Sequence, residues 1–192
     1  MARWQPETTQ RLVVAAVDLF TEQGYDATTV GQIAERAGVT KSTFFRHFSD
    51  KRELLVAGQE TLCRLLAEGI AEAPAGVGPL EAVAAGLERA SSEMGPANRE
   101  LGPRLKAAVA ASTELQERDA LKSVGLAAAM TAALVARGVP DVVAHLAAEL
   151  GVLAFKRGYA QWSEGSRDDA KGLADHALAA LKDLRTATAS LA

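Results

Sequence analysis

Residues Thr28–Lys51 read TTVGQIAERAGVTKSTFFRHFSDK, a pattern that predicts two short helices joined by a glycine turn. Thr29 followed three residues later by Gln32 is a capping-box arrangement. It opens a helix at about Val30, because the two side chains answer backbone N–H groups that have no partner in a first turn. Ile33, Ala34 and Ala37 then recur at helical spacing as one apolar stripe. Gly38 stands where a helix end needs a residue tolerant of positive φ, and the apolar Val39 can plug the turn. Thr40 caps a second helix through its side-chain oxygen, and Phe44 and Phe48 supply that helix's buried face. The small Ala34, one turn before Gly38, lets the two helices cross closely, so a helix-turn-helix unit is expected.

The outward face of the second helix carries Lys41, Ser42, Thr43, Arg46 and His47, all capable of hydrogen bonding, a mixture that suits a DNA major groove. From Arg36 to Arg52 the basic residues are Arg36, Lys41, Arg46, Lys51 and Arg52, with Asp50 among them and Glu35 just outside. The local sign is positive although the 192-residue chain carries a formal net charge of −3 at pH 7. Overall acidity is no objection to phosphate binding, which depends on local charge density and counterion release. Taken singly, each residue also has a plain reading as a cap or as solvated surface. The joint pattern is what points to DNA.

With Ala16, Leu19, Phe20 and Gly24 of a preceding helix, the sequence from about Gln10 to Leu55 resembles the DNA-binding domain of TetR-family transcriptional regulators; the likeness runs on through TTVGQIAERAGVTKSTFFRHFSDKRELL. The resemblance implies that Thr28 and Thr29 touch phosphate at the start of one helix. It implies that Thr40, Lys41, Ser42, Thr43 and Arg46 face bases or nearby phosphates, and that His47 and Lys51 hold the DNA backbone. Asp50 and Glu53 read as a second cap around Lys51. One position departs: the family usually carries Tyr where this chain has Phe45, so a hydroxyl that commonly donates to phosphate is missing. The Phe45 ring can still pack or touch a thymine methyl. The resemblance also implies a homodimer on double-stranded operator DNA, and a small-molecule effector bound somewhere between Leu54 and Val139.

Ala, Leu, Glu and Arg dominate the composition and β-branched or aromatic runs are few, so an all-α fold is expected. It divides into an N-terminal three-helix helix-turn-helix domain over residues 1–52 and a helical effector-binding and dimerisation bundle over 53–192, with about nine helices in all. The first helix spans about Pro6 to Gln23 and stops at Gly24. A long helix from Lys51 to about Ala73 is the expected lever between the halves, broken by APAGVGP. Further helices run over about Leu80–Met94, Glu100–Ala111, Glu114–Arg137, Asp141–Trp162 and Asp168–Thr186. The polar start MARWQPETTQRL lacks a signal peptide's apolar run, and no later segment is read as long enough to span a membrane. A cytoplasmic protein without a membrane partner is therefore expected. A single cysteine, Cys63, excludes an intrachain disulfide framework.

Ala147, Gly151, Ala154 and Gly158 lie close to one ridge, and Leu173, Ala177, Leu181 and Leu184 form a stripe on the final helix. By the resemblance these two faces are the dimer interface, since the last two long helices pair with their counterparts; the plain alternative is the core of one chain. Two recognition helices about one DNA turn apart would then read a palindrome. Leu62, Leu66, Leu87, Met94, Leu105, Val109, Leu126 and Met130 are candidate linings of a pocket for a partly apolar effector, again with plain core as the alternative. His145 and Glu149 lie one helical turn apart without a third ligand, so neither a metal nor a cofactor is expected. No nucleophile elbow, phosphate loop or metal-binding histidine pair occurs, and no enzyme activity is expected. The expected function is a homodimeric, sequence-specific transcriptional regulator, a repressor released from its operator by the effector. The alternatives are an activator, and a helical protein-interaction or effector-independent DNA-binding protein.

Overall fold

The computed structural model describes residues 6–166 and 170–191. Among these, all regular structure is helical, as the composition leads one to expect: α1 (Pro6–Gln23), α2 (Val30–Arg36), α3 (Lys41–His47), a 3-10 helix (Lys51–Val56), α4 (Gln59–Glu72), α5 (Pro79–Ser92), α6 (Pro96–Ala110), α7 (Thr113–Ala136), α8 (Asp141–Glu164) and α9 (Leu173–Ala189). They form two compact units that interleave along the chain. The first takes residues up to Ala57 and then Pro103–Leu121, which are the second half of α6 and the start of α7; the second takes Gly58–Gly102 and everything from Lys122.

The first unit is built around Leu12, Ala16 and Phe20 of α1, Ile33 and Ala34 of α2, and Phe44 of α3. Leu54 and Leu55 of the 3-10 helix close it on one side, and Ala108 and Leu115 on another. Leu115 and Phe44 are fully buried, so the returning segment is part of this core. Charged pairs rim the junction: Arg104 with Asp18, Arg118 with Glu53, and Arg52 with Glu114 at 3.4 Å.

The second unit relies on backbones brought unusually close together. A Cβ on Gly69 of α4 would stand 2.7 Å from the Ala85 carbonyl oxygen of α5, and one on Gly86 would stand 2.7 Å from the Leu66 carbonyl oxygen. A Cβ on Gly158 of α8 would stand 2.5 Å from both Cα and N of Ala177 in α9. Only glycine permits these crossings, and the large side chains of Ile70, Leu87, Met130 and Leu134 fill the space around them.

Three expectations change. The helix expected from Lys51 to Ala73 is broken at Gly58, whose φ of 76° lies in the left-handed region, so a 3-10 turn and α4 replace one continuous lever. The final helix begins at Leu173; the expected start, Asp168, lies outside the described residues. Among the described residues α7 is long and apolar enough to cross a membrane by length and composition, contrary to the expectation that no segment is. The reason lies in residues 123–136, which carry no charge on any face. Leu126, Met130 and Leu134 use one side of α7 as core, and Val124 and Val135 remain exposed on the other.

Candidate nucleic-acid interface

The turn between α2 and α3 is fixed by backbone geometry that the sequence dictates locally. Gln32 N–H donates to the Thr29 hydroxyl at 3.3 Å, and Thr29 N–H donates to the Gln32 side-chain oxygen at 2.8 Å, completing the capping box. At the other end Gly38 takes φ 68°, its N–H donates to the Glu35 carbonyl at 3.0 Å, and Val39 N–H donates to the Ala34 carbonyl at 2.9 Å. These two bonds are the Schellman pattern, which turns the chain into α3. Thr40 caps α3 by accepting from Thr43 N–H at 3.1 Å. Phe44 anchors the helix from below, edge-on to Phe45 and 5.7 Å from Phe48.

What α3 then presents is a chain of side chains at three-residue spacing. The Thr40 and Thr43 hydroxyls lie 3.0 Å apart, and Arg46 Nη2 donates to the Thr43 hydroxyl at 3.0 Å. Arg46 is therefore held along its helix before any ligand arrives. Lys41, Ser42 and Phe45 are exposed beside it, with Phe45 at 57 % of its full exposure. Gly31, which sequence reasoning passed over, leaves room for Lys41: a Cβ there would stand 2.6 Å from Lys41 Cε. A glycine inside a seven-residue helix, where it costs about 1 kcal/mol against alanine, was the available signal.

Several residues of the expected contact set have other partners. Thr28 is buried, and its hydroxyl donates to the Gly24 carbonyl at 2.7 Å, so that proton is committed inside the turn. Lys51 Nζ donates to the Tyr25 carbonyl at 2.7 Å and the Thr28 carbonyl at 3.0 Å, and lies 4.0 Å from the centroid of the Tyr25 ring. It ties the turn after α1, leaving one ammonium hydrogen beyond those two bonds. His47 is half-buried, with Nδ1 at 3.2 Å from the hydroxyl of Thr9 on α1.

The positive sign of the stretch is also narrower than the residue types suggest. Arg36 makes a two-pronged bridge to Glu22 at 2.9 and 2.8 Å, and its guanidinium holds the Glu22 carboxyl below the usual carboxylate range. Arg52 is bonded to Asp50 at 2.7 Å and holds that carboxyl low in the same way, helped by the Arg52 and Glu53 N–H groups. Lys41 and Arg46 are left as the exposed cations of α3, flanked by the hydroxyls of Thr40 and Ser42, while the exposed Thr29 gives its own hydroxyl proton to the Gln32 side-chain oxygen at 2.9 Å.

The structure separates the expected effector residues. Leu62, Leu66, Leu87, Leu126 and Met130 are buried in the core of the second unit with Met94 packed against them, whereas Leu105 and Val109 pack against the core of the first. The expected dimer residues Ala147, Gly151, Ala154 and Gly158 of α8, and Leu173, Ala177, Leu181 and Leu184 of α9, are all buried inside one chain. Within the chain, Gly158 packs against Ala177 of α9 and Gly151 against Val83 of α5 and Met130 of α7, because close approach is what small residues permit. The apolar residues that α8 does expose lie on its other face: Val142, Val143, Leu146 and Leu153. His145 and Glu149 approach to 4.0 Å in the open, and among the described residues no group of three metal-capable side chains occurs.

Residues 12–57 match the family model described as bacterial regulatory proteins, tetR family. The HTH-type transcriptional regulator TcmR of Streptomyces glaucescens is 40% identical over 76 residues, covering 40% of this chain and 34% of that protein. The chain thus spans about a third of the length of this curated relative. Among solved structures, a TetR-family transcriptional regulator from Syntrophomonas wolfei superposes with a TM-score of 0.58 at 20% identity, covering 94% of each chain. Thermus thermophilus FadR, a TetR-family transcriptional repressor solved with lauroyl-CoA, superposes with a TM-score of 0.51 at 22% identity, covering 91% of each chain. At these identities the superpositions establish a shared fold.

Proposed function

We propose that this chain, whose residues 12–57 match the tetR family model, is a TetR-type homodimeric repressor that binds DNA through that segment and is released from its operator by a small molecule. The observation that carries the DNA half is the outward face of α3, where Arg46 is held by Thr43 beside exposed Lys41, Ser42 and Phe45. Arg46 is the residue for a guanine edge and Phe45 the one for a thymine methyl. Thr40, Ser42 and the remaining hydrogen of Lys51 serve phosphates. Thr28 shapes the turn that presents them.

For the dimer we propose the exposed side of α8. Val142 and Leu146 lie one helical turn apart, Leu153 lies two turns further on, and they are 80, 58 and 45 % exposed. Such a stripe on a soluble chain calls for cover. Glu149 and Arg157 stand one turn either side of Leu153 on the same face, so two antiparallel copies of α8 would pair them twice about a two-fold axis. For the effector we propose a partly apolar molecule bound within the helical bundle, a reading favoured by the leucine- and methionine-rich core of the second unit and by the acyl-CoA held by a protein of the same fold. The setting proposed is the cytoplasm.

Selection of duplexes from a random-sequence pool by the full chain tests the DNA reading. It predicts a two-fold symmetric consensus bound with steep salt dependence, and enrichment of no consensus would refute it. Sedimentation of Leu146→Glu is expected to give monomer where the parent chain gives dimer. A dimer unaffected by that change would move the interface elsewhere.

A further inference from the structure

We propose that Thr9 is a positioning residue for DNA binding: its hydroxyl donates to Nδ1 of His47, so the neutral imidazole carries its proton on Nε2 and holds that N–H ready for a DNA phosphate. The inference rests on the DNA-binding reading above and adds a residue outside the helix-turn-helix to it. Thr9 lies near the start of α1 and His47 is the last residue of α3, 38 positions later, yet the two side chains meet at 3.2 Å in a half-buried setting. A neutral imidazole has one donor and one acceptor nitrogen, and the bond made by one nitrogen decides what the other can offer. A phosphate oxygen only accepts. If Nδ1 carried the proton and gave it to Thr9, the Nε2 lone pair would face the phosphate and repel it. A hydroxyl can donate to Nδ1, and in doing so it makes Nε2 the donor. The bond also ties the ring to α1, so less side-chain freedom is lost when the phosphate arrives.

The test uses the full chain and two fluorescein-labelled duplexes, one recovered from the random pool and one scrambled to the same length and composition. Because a phosphate contact carries no sequence information, Thr9→Val is expected to weaken both by about fivefold, the scale of one net hydrogen bond. Thr9→Ser, which keeps the hydroxyl, is expected to bind like the parent. In a His47→Phe background the Thr9→Val change is expected to do nothing beyond about twofold, as a double-mutant cycle requires of two groups acting through one bond. Long-range proton–nitrogen NMR spectra of the parent chain, at a pH where the ring is neutral, should assign the His47 proton to Nε2. Thermal melts of Thr9→Val and Thr9→Ala establish that the variants are folded; should Val perturb folding, Ala serves in the same cycle. A full Thr9 effect that persists without His47, unchanged binding of the Val and Ala variants, or a proton on Nδ1 overturns the proposal alone. Failure of the parent chain to bind either duplex at low salt overturns the DNA-binding reading and takes this proposal with it.

Discussion

Replacing Lys51 by Met separates a structural role from a phosphate role at one position. The Met side chain keeps the bulk of the lysine stem against Tyr25 and removes the charge. What is lost is a pair of bonds from an ammonium to two carbonyls, at 2.7 and 3.0 Å, and a contact 4.0 Å from the Tyr25 ring centroid. Hydrogen bonds to charged groups contribute about 1.5–3 kcal/mol when well buried, and a cation over an aromatic face about 0.5–1 kcal/mol where it is partly exposed. Two facts argue for the low end. The Tyr25 carbonyl keeps the Thr28 N–H at 3.1 Å, and Lys51 is only half-buried, so water replaces part of the rest. A loss of about 2 kcal/mol is expected, which in a chain of this size lowers Tm by about 4–8 °C. Urea unfolding followed by far-UV circular dichroism measures it, and duplex titrations across a salt series measure the other role. Loss of one phosphate contact flattens the slope of log K against log salt by about 0.9. An unchanged unfolding midpoint together with a slope lowered by that amount would refute the structural tie and leave Lys51 as a phosphate ligand alone.

Three further outcomes follow from the packing and the charges. Gly158→Ala places a Cβ 2.5 Å from the backbone of Ala177, which has no side-chain freedom with which to yield; a loss of about 1–3 kcal/mol is expected in urea unfolding, and a neutral result would mean that α8 and α9 are farther apart than described. Asp50 is held below its ordinary pKa by the Arg52 guanidinium, so its contribution to stability is complete above the unfolded value of about 3.9 and fades as pH falls through the lower folded value. Asp50→Asn should therefore flatten the acid limb of a stability–pH profile below about pH 4 and leave its shape near neutrality unchanged. A fragment of residues 1–57 lacks Leu105, Ala108, Val109 and Leu115 and the arginines paired with Asp18 and Glu53; it is expected to show no cooperative melt, and a sharp transition would show that the returning segment is dispensable.

What was legible in the sequence was local. The Thr29–Gln32 box, the Gly38–Val39 turn and the Thr40 cap involve partners within five residues, so residue type and spacing sufficed. The commitments of Thr28, Arg36 and Lys51 were less visible for different reasons. Glu22 and Tyr25 lie 14 and 26 positions from the cations they hold, and only the fold brings them together. Thr28 bonds just four residues back, but a threonine before a helix looks the same whether its hydroxyl faces solvent or the turn. The α8 ridge was ambiguous in kind: small residues at that spacing announce that a backbone comes close, and carry no information on whether it belongs to the same chain. Gly58 was read through because the apolar period continues on both sides of it, although glycine is a poor helix residue.

The first unit draws its core from two stretches separated by Gly58–Gly102. During synthesis, at about 5–20 residues per second, Leu115 leaves the ribosome roughly 3–12 s after Ala57. Through that interval the nascent helix-turn-helix has Phe20, Phe44, Leu54 and Leu55 to hide and no closing segment to hide them against. The unit proposed to bind DNA therefore matures late, after α4 and α5 have emerged. A chain ended between residues 58 and 114 would hold every expected contact residue and lack the Leu115 that closes their core.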